Sequence, residues 1–130
     1  MTILAAYVPS SAGEAALAFA IDEAAVRRED LLVVNSARGE SLTDDRVATD
    51  DDLARVRLSA EKAGVSLAIR QIRRGQSAAA DILDVAGDVS ISMIVVGSRG
   101  RSPVGKLLLG SAALEILSHA RQPVVAVKSS

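Results

Sequence analysis

Four short runs, Ile3–Val8, Leu31–Asn35, Met93–Val96 and Val124–Val127, are almost wholly apolar and constrain this chain more than any other feature. A strand with one face in water alternates apolar and polar residues. These runs do not alternate, so each demands cover on both faces, which is the signature of a parallel sheet flanked by helices. A fifth run, Val65–Ile72, does alternate, with Leu67 and Ile69 set against Ser66 and Arg70. It reads as a strand near a sheet edge. Helical patterns fill the gaps between runs, and right-handed crossovers between such units favour one open sheet. The predicted class is α/β: an open five-stranded parallel sheet, Rossmann-like, with helices on both faces, in a single domain over residues 1–130.

The helices carry their own punctuation. Glu14–Arg28 places Leu17, Ile21 and Ala24/Ala25, with Phe19, on an alanine-rich face. Ser10 or Ser11 is its expected N-cap, and Glu14 stands three residues after Ser11 as a capping box requires. Residues 36–52 form a polar, acidic connection. The acidic residues Asp44, Asp45 and Asp50–Asp52 lack the glycine and terminal glutamate of a calcium loop. Asp50–Asp52 suits instead the start of a helix over Asp51–Ala63, whose apolar side is Leu53, Val56 and Ala60 and whose stop is Gly64. A third helix is expected from about Ser77 to Ala86, capped by Gln76 or Ser77, with Ile82, Leu83 and Val85 toward the sheet. A fourth spans Ser111 to about His119, ahead of Pro123 and the last strand.

Composition excludes several functions. The chain has 15 basic and 16 acidic residues, so no net field recruits nucleic acid or an anionic membrane. Tyr7 and Phe19 are the only aromatics, too few to stack the bases of a single strand. Without cysteine there is no disulfide, thiolate nucleophile or thiolate metal site. No secretion signal or membrane-length apolar run is visible, so a cytoplasmic location is the expectation. The single histidine, His119, falls where a helix C-terminus favours a positive side chain. Asp84, Asp88 and Glu115 show no paired spacing suited to acid–base work, and no catalytic residue is assigned. The Arg70, Arg73 and Arg74 cluster reads as a solvated surface, with nucleotide or partner contact as the sharper alternative.

Residues 93–111, MIVVGSRGRSPVGKLLLGS, carry the chemistry. A buried strand breaks at Gly97 into a glycine- and serine-rich loop and re-forms as a helix near Gly110–Ser111. Unpaired amides at such a helix start point at an anion, and absent side chains let it approach. Two phosphate motifs fail in detail. The first strand is followed by PSSAG rather than GxGxxG. Gly100-Arg-Ser-Pro-Val-Gly105-Lys106 has the glycine and lysine spacing of a P-loop, but Leu107 stands where a magnesium-binding hydroxyl belongs.

What remains is Gly97-Ser-Arg-Gly100, nine residues, and Gly110-Ser111. With LLLGSAALEILSHARQPVVAVK behind it, this pattern resembles the ATP-binding subclass of the universal stress protein family. The resemblance implies an adenine nucleotide alpha hydrolase-like sheet with the nucleotide, ATP or AMP, across the ends of the first and fourth strands. It places Gly97, Arg99 and Gly100 against ribose and phosphates, and Gly110, Ser111 and the amide of Ala112 on the phosphate chain. Magnesium would enter only through the phosphates. At the end of the first strand, Val8 stands where the family's binders carry an aspartate, and Ser10 keeps the family's serine. Ser36 matches a position that touches the base through its backbone. The implied assembly is a homodimer through the terminal strand, Val124–Val127, which would otherwise leave an apolar edge exposed. The resemblance thus suggests a nucleotide-binding stress-response regulator; a member of the same fold working through protein contacts is the alternative that Val8 favours.

Overall fold

The structure, a computed structural model, describes residues 1–37, 47–73, 77–88, 90–98, 100–101 and 107–129. The elements run β1 (Thr2–Ala6), α1 (Ser11–Arg27), β2 (Asp30–Ala37), α2 (Asp50–Lys62), β3 (Leu67–Arg73), α3 (Ala78–Asp88) and β4 (Ile91–Gly97). They continue with β5 (Gly100–Arg101), β6 (Leu107–Leu108), α4 (Ser111–His119) and β7 (Val124–Val127). Five strands form one parallel sheet in the order β3-β2-β1-β4-β7. The alternating strand β3 lies at one edge and the terminal strand β7 at the other.

Strand alternation divides the core into two layers. Ile3, Ala5, Tyr7, Val33 and Val95 point to the side covered by α1 and α2, where they meet Leu17, Ile21, Leu53 and Val56. Leu4, Leu32, Val34, Ile94 and Val96 point to the other side, against Ile82 and Val85 of α3 and Ile116 of α4. Burial of each such aliphatic side chain contributes about 1.5–3 kcal/mol, which is why the unbroken apolar runs dictate two covered faces. The buried face of α1 is largely alanine (Ala16, Ala20, Ala24), so this helix can lie close to the sheet.

Several details depart from the sequence expectations. The segment after β4 was expected to be loop throughout, yet Gly100 and Arg101 pair antiparallel with Leu108 and Leu107. No capping box forms at Ser11: the Ser10 hydroxyl accepts from the Gly13 amide at 3.1 Å, and the Glu14 carboxylate is drawn to Tyr7 instead. The capping box occurs at α2, between Thr49 and Asp52. Ser77, one of the two expected caps, does cap α3, accepting from the Ala80 amide at 3.2 Å. Leu83 is only half-buried, and Ala25 is exposed. Residues 44–45 and Arg74 lie outside the described residues.

Candidate nucleotide site

The sheet changes its direction of growth between β1 and β4, so the crossovers leave a crevice at the carboxyl ends of these strands. A cavity of about 140 Å3 sits there. Ala6, Val8, Val34, Ser36, Val96 and Gly97 supply its strand side. Ala78 and Ile82 of α3, and Ala112, Ala113 and Ile116 of α4, supply its helix side. Its size resembles that of an apolar cavity, on the order of 150 Å3, known to accept one aromatic ring. It is smaller than the roughly 300–1,000 Å3 of sites that engulf a drug-sized ligand. One flat ring therefore fits inside, and anything attached to it extends outward.

Two glycines line this crevice where α1 approaches the strand ends. A Cβ on Gly97 would lie 2.2 Å from the Ala12 carbonyl oxygen, and one on Gly13 would lie 1.8 Å from that of Val8. Both distances are far inside van der Waals contact. The start of α1 is thus seated directly on the ends of β1 and β4, and Gly97 is required by helix packing independently of any ligand. Gly13 was missed in the sequence reading, although an isolated glycine near a helix start is a signal of close backbone approach.

The start of α4 faces the same space. Gly110 is its N-cap and, as a glycine, brings no side chain to the first turn. Ser111 is the first helical residue and is exposed, while Ala112 reaches the cavity wall. A helix begun this way leaves first-turn amides available to an acceptor. Of the nine site residues expected from sequence, Val8, Ser36, Gly97 and Ala112 line one cavity. Gly110 and Ser111 adjoin it through Ala112, Gly100 pairs with Leu108, and Ser10 is engaged as the cap of α1. Arg99 lies outside the described residues.

The polar groups around the crevice are held in place. Tyr7 is buried, and its hydroxyl donates to Glu14 Oε1 at 2.6 Å. Burial first, and the Glu14 carboxylate second, push its pKa well above the ordinary tyrosine value. Asn35 is buried at the end of β2; its amide donates to the Tyr7 carbonyl, and its carbonyl accepts from the Ala48 amide and from Gln71 Nε2. Ser36 donates to Asp81 Oδ2 at 2.7 Å, with both residues buried. Asp81 was not anticipated, though its spacing with Ala78, Ile82 and Val85 puts a carboxylate in an apolar helical stripe. Ser98, directly after β4, donates its amide to the Val127 carbonyl, while its buried hydroxyl has no hydrogen-bond partner among the described residues. His119 is exposed at the far end of α4, its Nδ1 3.0 Å from the Glu115 carbonyl. No group of three His, Cys, Asp or Glu residues able to hold a metal occurs among the described residues. No described helix is long and apolar enough to cross a membrane.

The family model described as the universal stress protein family matches residues 1–128. The chain belongs to that family. A universal stress protein from Mycolicibacterium smegmatis is 36% identical over 126 residues, covering 97% of this chain and 96% of the relative. The structure of the universal stress protein from Archaeoglobus fulgidus aligns with a TM-score of 0.75 at 32% identity, covering 98% of each chain. A second structure from that organism, in complex with dAMP, aligns with a TM-score of 0.79 at 28% identity, again over 98% of each. The sheet order and the helices on both faces are those of the universal stress protein fold. Within it, this chain brings the apolar side chain of Val8 into the cavity wall.

Proposed function

We propose that this protein binds an adenine nucleotide, AMP or ATP, and acts in the cytoplasm as a homodimeric stress-response regulator that signals by occupancy. The observation that carries this reading is the meeting of α4, capped only by Gly110, with a ring-sized apolar cavity at the reversal point of the sheet. The six-membered ring of the base enters the cavity, and the fused ring leads outward. The phosphates lie at the amides of Ser111 and Ala112, where the helix dipole favours negative charge. The dAMP complex of the Archaeoglobus fulgidus relative supports the same class of ligand. The residues present fit such a ligand: the wall is apolar for the base, and the mouth has bare backbone for the anion. Magnesium arrives with the phosphates rather than on protein ligands. The free edge of β7, whose four residues are all half-buried, supports the dimer.

Calorimetric titration with AMP, ATP and GTP tests the reading, together with Ala112→Asp. A carboxylate at the second helical position is compatible with the dipole but repels phosphate; because Ala112 also packs against the core beneath α3 and α4, a thermal melt establishes that the variant is folded. The expected result is adenine-nucleotide binding in the native protein and loss of at least tenfold in the variant. Absence of binding by the native protein at millimolar nucleotide overturns the reading. That result favours the second one, a regulator working through protein contacts alone. Val8 is the observation on its side: it removes the carboxylate, whose hydrogen bonds are worth about 1.5–3 kcal/mol when charged, or roughly ten- to a hundredfold in affinity.

A further inference from the structure

Tyr7 and Ser36 carry the only polar side chains among the described residues lining the cavity. The Tyr7 hydroxyl is turned to Glu14, outside it. Ser36 is therefore the polar side chain left to orient whatever ring enters. Its hydroxyl hydrogen is already committed, because Ser36 Oγ donates to Asp81 Oδ2 at 2.7 Å. Asp81 stands behind it, 3% exposed, on the turn of α3 that also brings Ala78 and Ile82 to the cavity wall. A serine hydroxyl has one hydrogen and two lone pairs. With the hydrogen spent on a carboxylate, which only accepts, the oxygen can offer the cavity nothing but an acceptor.

We propose that the buried Ser36–Asp81 pair sets the base preference of this site, by presenting an acceptor-only hydroxyl that selects a ring carrying an exocyclic amino group. The proposal rests on the nucleotide-binding reading above and deepens it. The phosphates are held at the α4 mouth, so the base lies at the opposite end of the cavity, beside Ser36 at the end of β2. An amino group there finds its acceptor. A ring carbonyl in the same place meets the Ser36 oxygen lone pair to lone pair and leaves two buried acceptors unpaired, a costly arrangement in an apolar wall. Ser36 is the contacting residue. Asp81 is a positioning residue that acts through it by fixing the direction of the hydroxyl hydrogen. A purely structural tether between α3 and β2 would use the same hydrogen bond but would not distinguish one ring substituent from another.

The test compares AMP, inosine monophosphate (a carbonyl in place of the amino group) and purine riboside monophosphate (neither) by calorimetry. The native protein is expected to favour AMP over both by about tenfold, the discrimination one hydrogen bond supports. Ser36→Ala is expected to bring AMP and purine riboside monophosphate within twofold of each other. Asp81→Asn, whose amide can donate to Ser36 Oγ and release the serine hydrogen toward the cavity, is expected to narrow the gap between AMP and inosine monophosphate. Thermal melts establish that each variant is folded. Equal affinity of the native protein for the three ligands overturns this proposal and leaves nucleotide binding standing, even if neither variant folds. An AMP preference unchanged in folded Ser36→Ala also overturns it. Failure of the native protein to bind any of the three overturns the nucleotide-binding reading, and this proposal with it.

Discussion

Tyr7 Oη donates to Glu14 Oε1 across 2.6 Å, joining the chain just after β1 to the first turn of α1. The ring fills the core between the sheet and α1, while the hydroxyl reaches an exposed carboxylate. Tyr7→Phe keeps the ring and removes only the donor. Because Glu14 can be rehydrated, the expected loss at neutral pH is about 1 kcal/mol, the ordinary net value of a hydrogen bond. The pH dependence has a definite sign. The folded state holds the Tyr7 proton more tightly than the unfolded chain, whose tyrosine titrates near 10.0. This contribution is therefore fully present below that pH and is lost as pH rises above it. As the chain has one tyrosine, Tyr7→Phe lacks this alkaline loss entirely. Denaturant melts of both proteins at neutral and alkaline pH should show the stability gap closing, and a gap constant with pH would contradict the assignment.

Two glycines of the crevice wall, with a third outside it as the control, make a graded test of the close approach of α1. On helix propensity alone, Gly13→Ala within α1 should stabilise by roughly 0.8–1 kcal/mol. Its new Cβ would lie 1.8 Å from the Val8 carbonyl oxygen, which is backbone and cannot move aside alone. Steric overpacking of about 1–3 kcal/mol decides the sign, so the variant should be less stable. Gly97→Ala, at 2.2 Å from the Ala12 carbonyl oxygen, should behave alike. Gly87→Ala in α3 meets nothing within 4 Å and should be neutral or more stable, by up to about 1 kcal/mol. Urea unfolding of the three variants gives the order directly.

These glycines also mark where sequence reading reached its limit. The parallel sheet was legible because strands buried on both faces must be continuously apolar, and β3 betrayed its edge position by alternating. The start of α4 was legible because Gly110 and Ser111 interrupt an apolar run and open a helix. Pairings between distant parts of the chain were not. Asp81 bonds a serine 45 residues away, and that partner cannot be read from the helix that carries it. Glu14 had the spacing of a capping box with Ser11, but the hydroxyl of Tyr7 took it. The two-residue strands β5 and β6 arise from the pairing of Gly100 with Leu108 and have no periodicity to detect.

Ser98 combines full burial with a hydroxyl that has no hydrogen-bond partner among the described residues. A buried unpaired polar group costs about 1–3 kcal/mol, and replacing it by a methyl group removes that penalty. Ser98→Ala should therefore be neutral or more stable, in contrast to the usual destabilisation on truncating a core residue. The comparison is made by thermal melting with nucleotide omitted. A loss above about 1 kcal/mol would mean that the hydroxyl has a partner in solution, such as an ordered water.

The free edge of β7 allows the proposed dimer to be tested through the backbone alone. Pro123 and Val127 turn their carbonyl oxygens to β4, accepting from the amides of Ile94 and Ser98 at 2.9 and 2.8 Å. Alternation along the strand then directs the backbone groups of Val124 and Ala126 outward, toward the edge where a second copy would pair. Ala126→Pro deletes an outward amide and leaves pairing with β4 untouched, and proline is tolerated at such an edge position. It also spares Val125, whose side chain packs into the core on the α1 side, so that an aspartate there would damage the fold as well as any interface. Sedimentation of native protein and Ala126→Pro should show a dimer converted to a folded monomer. A variant that remains dimeric would move the interface away from this strand.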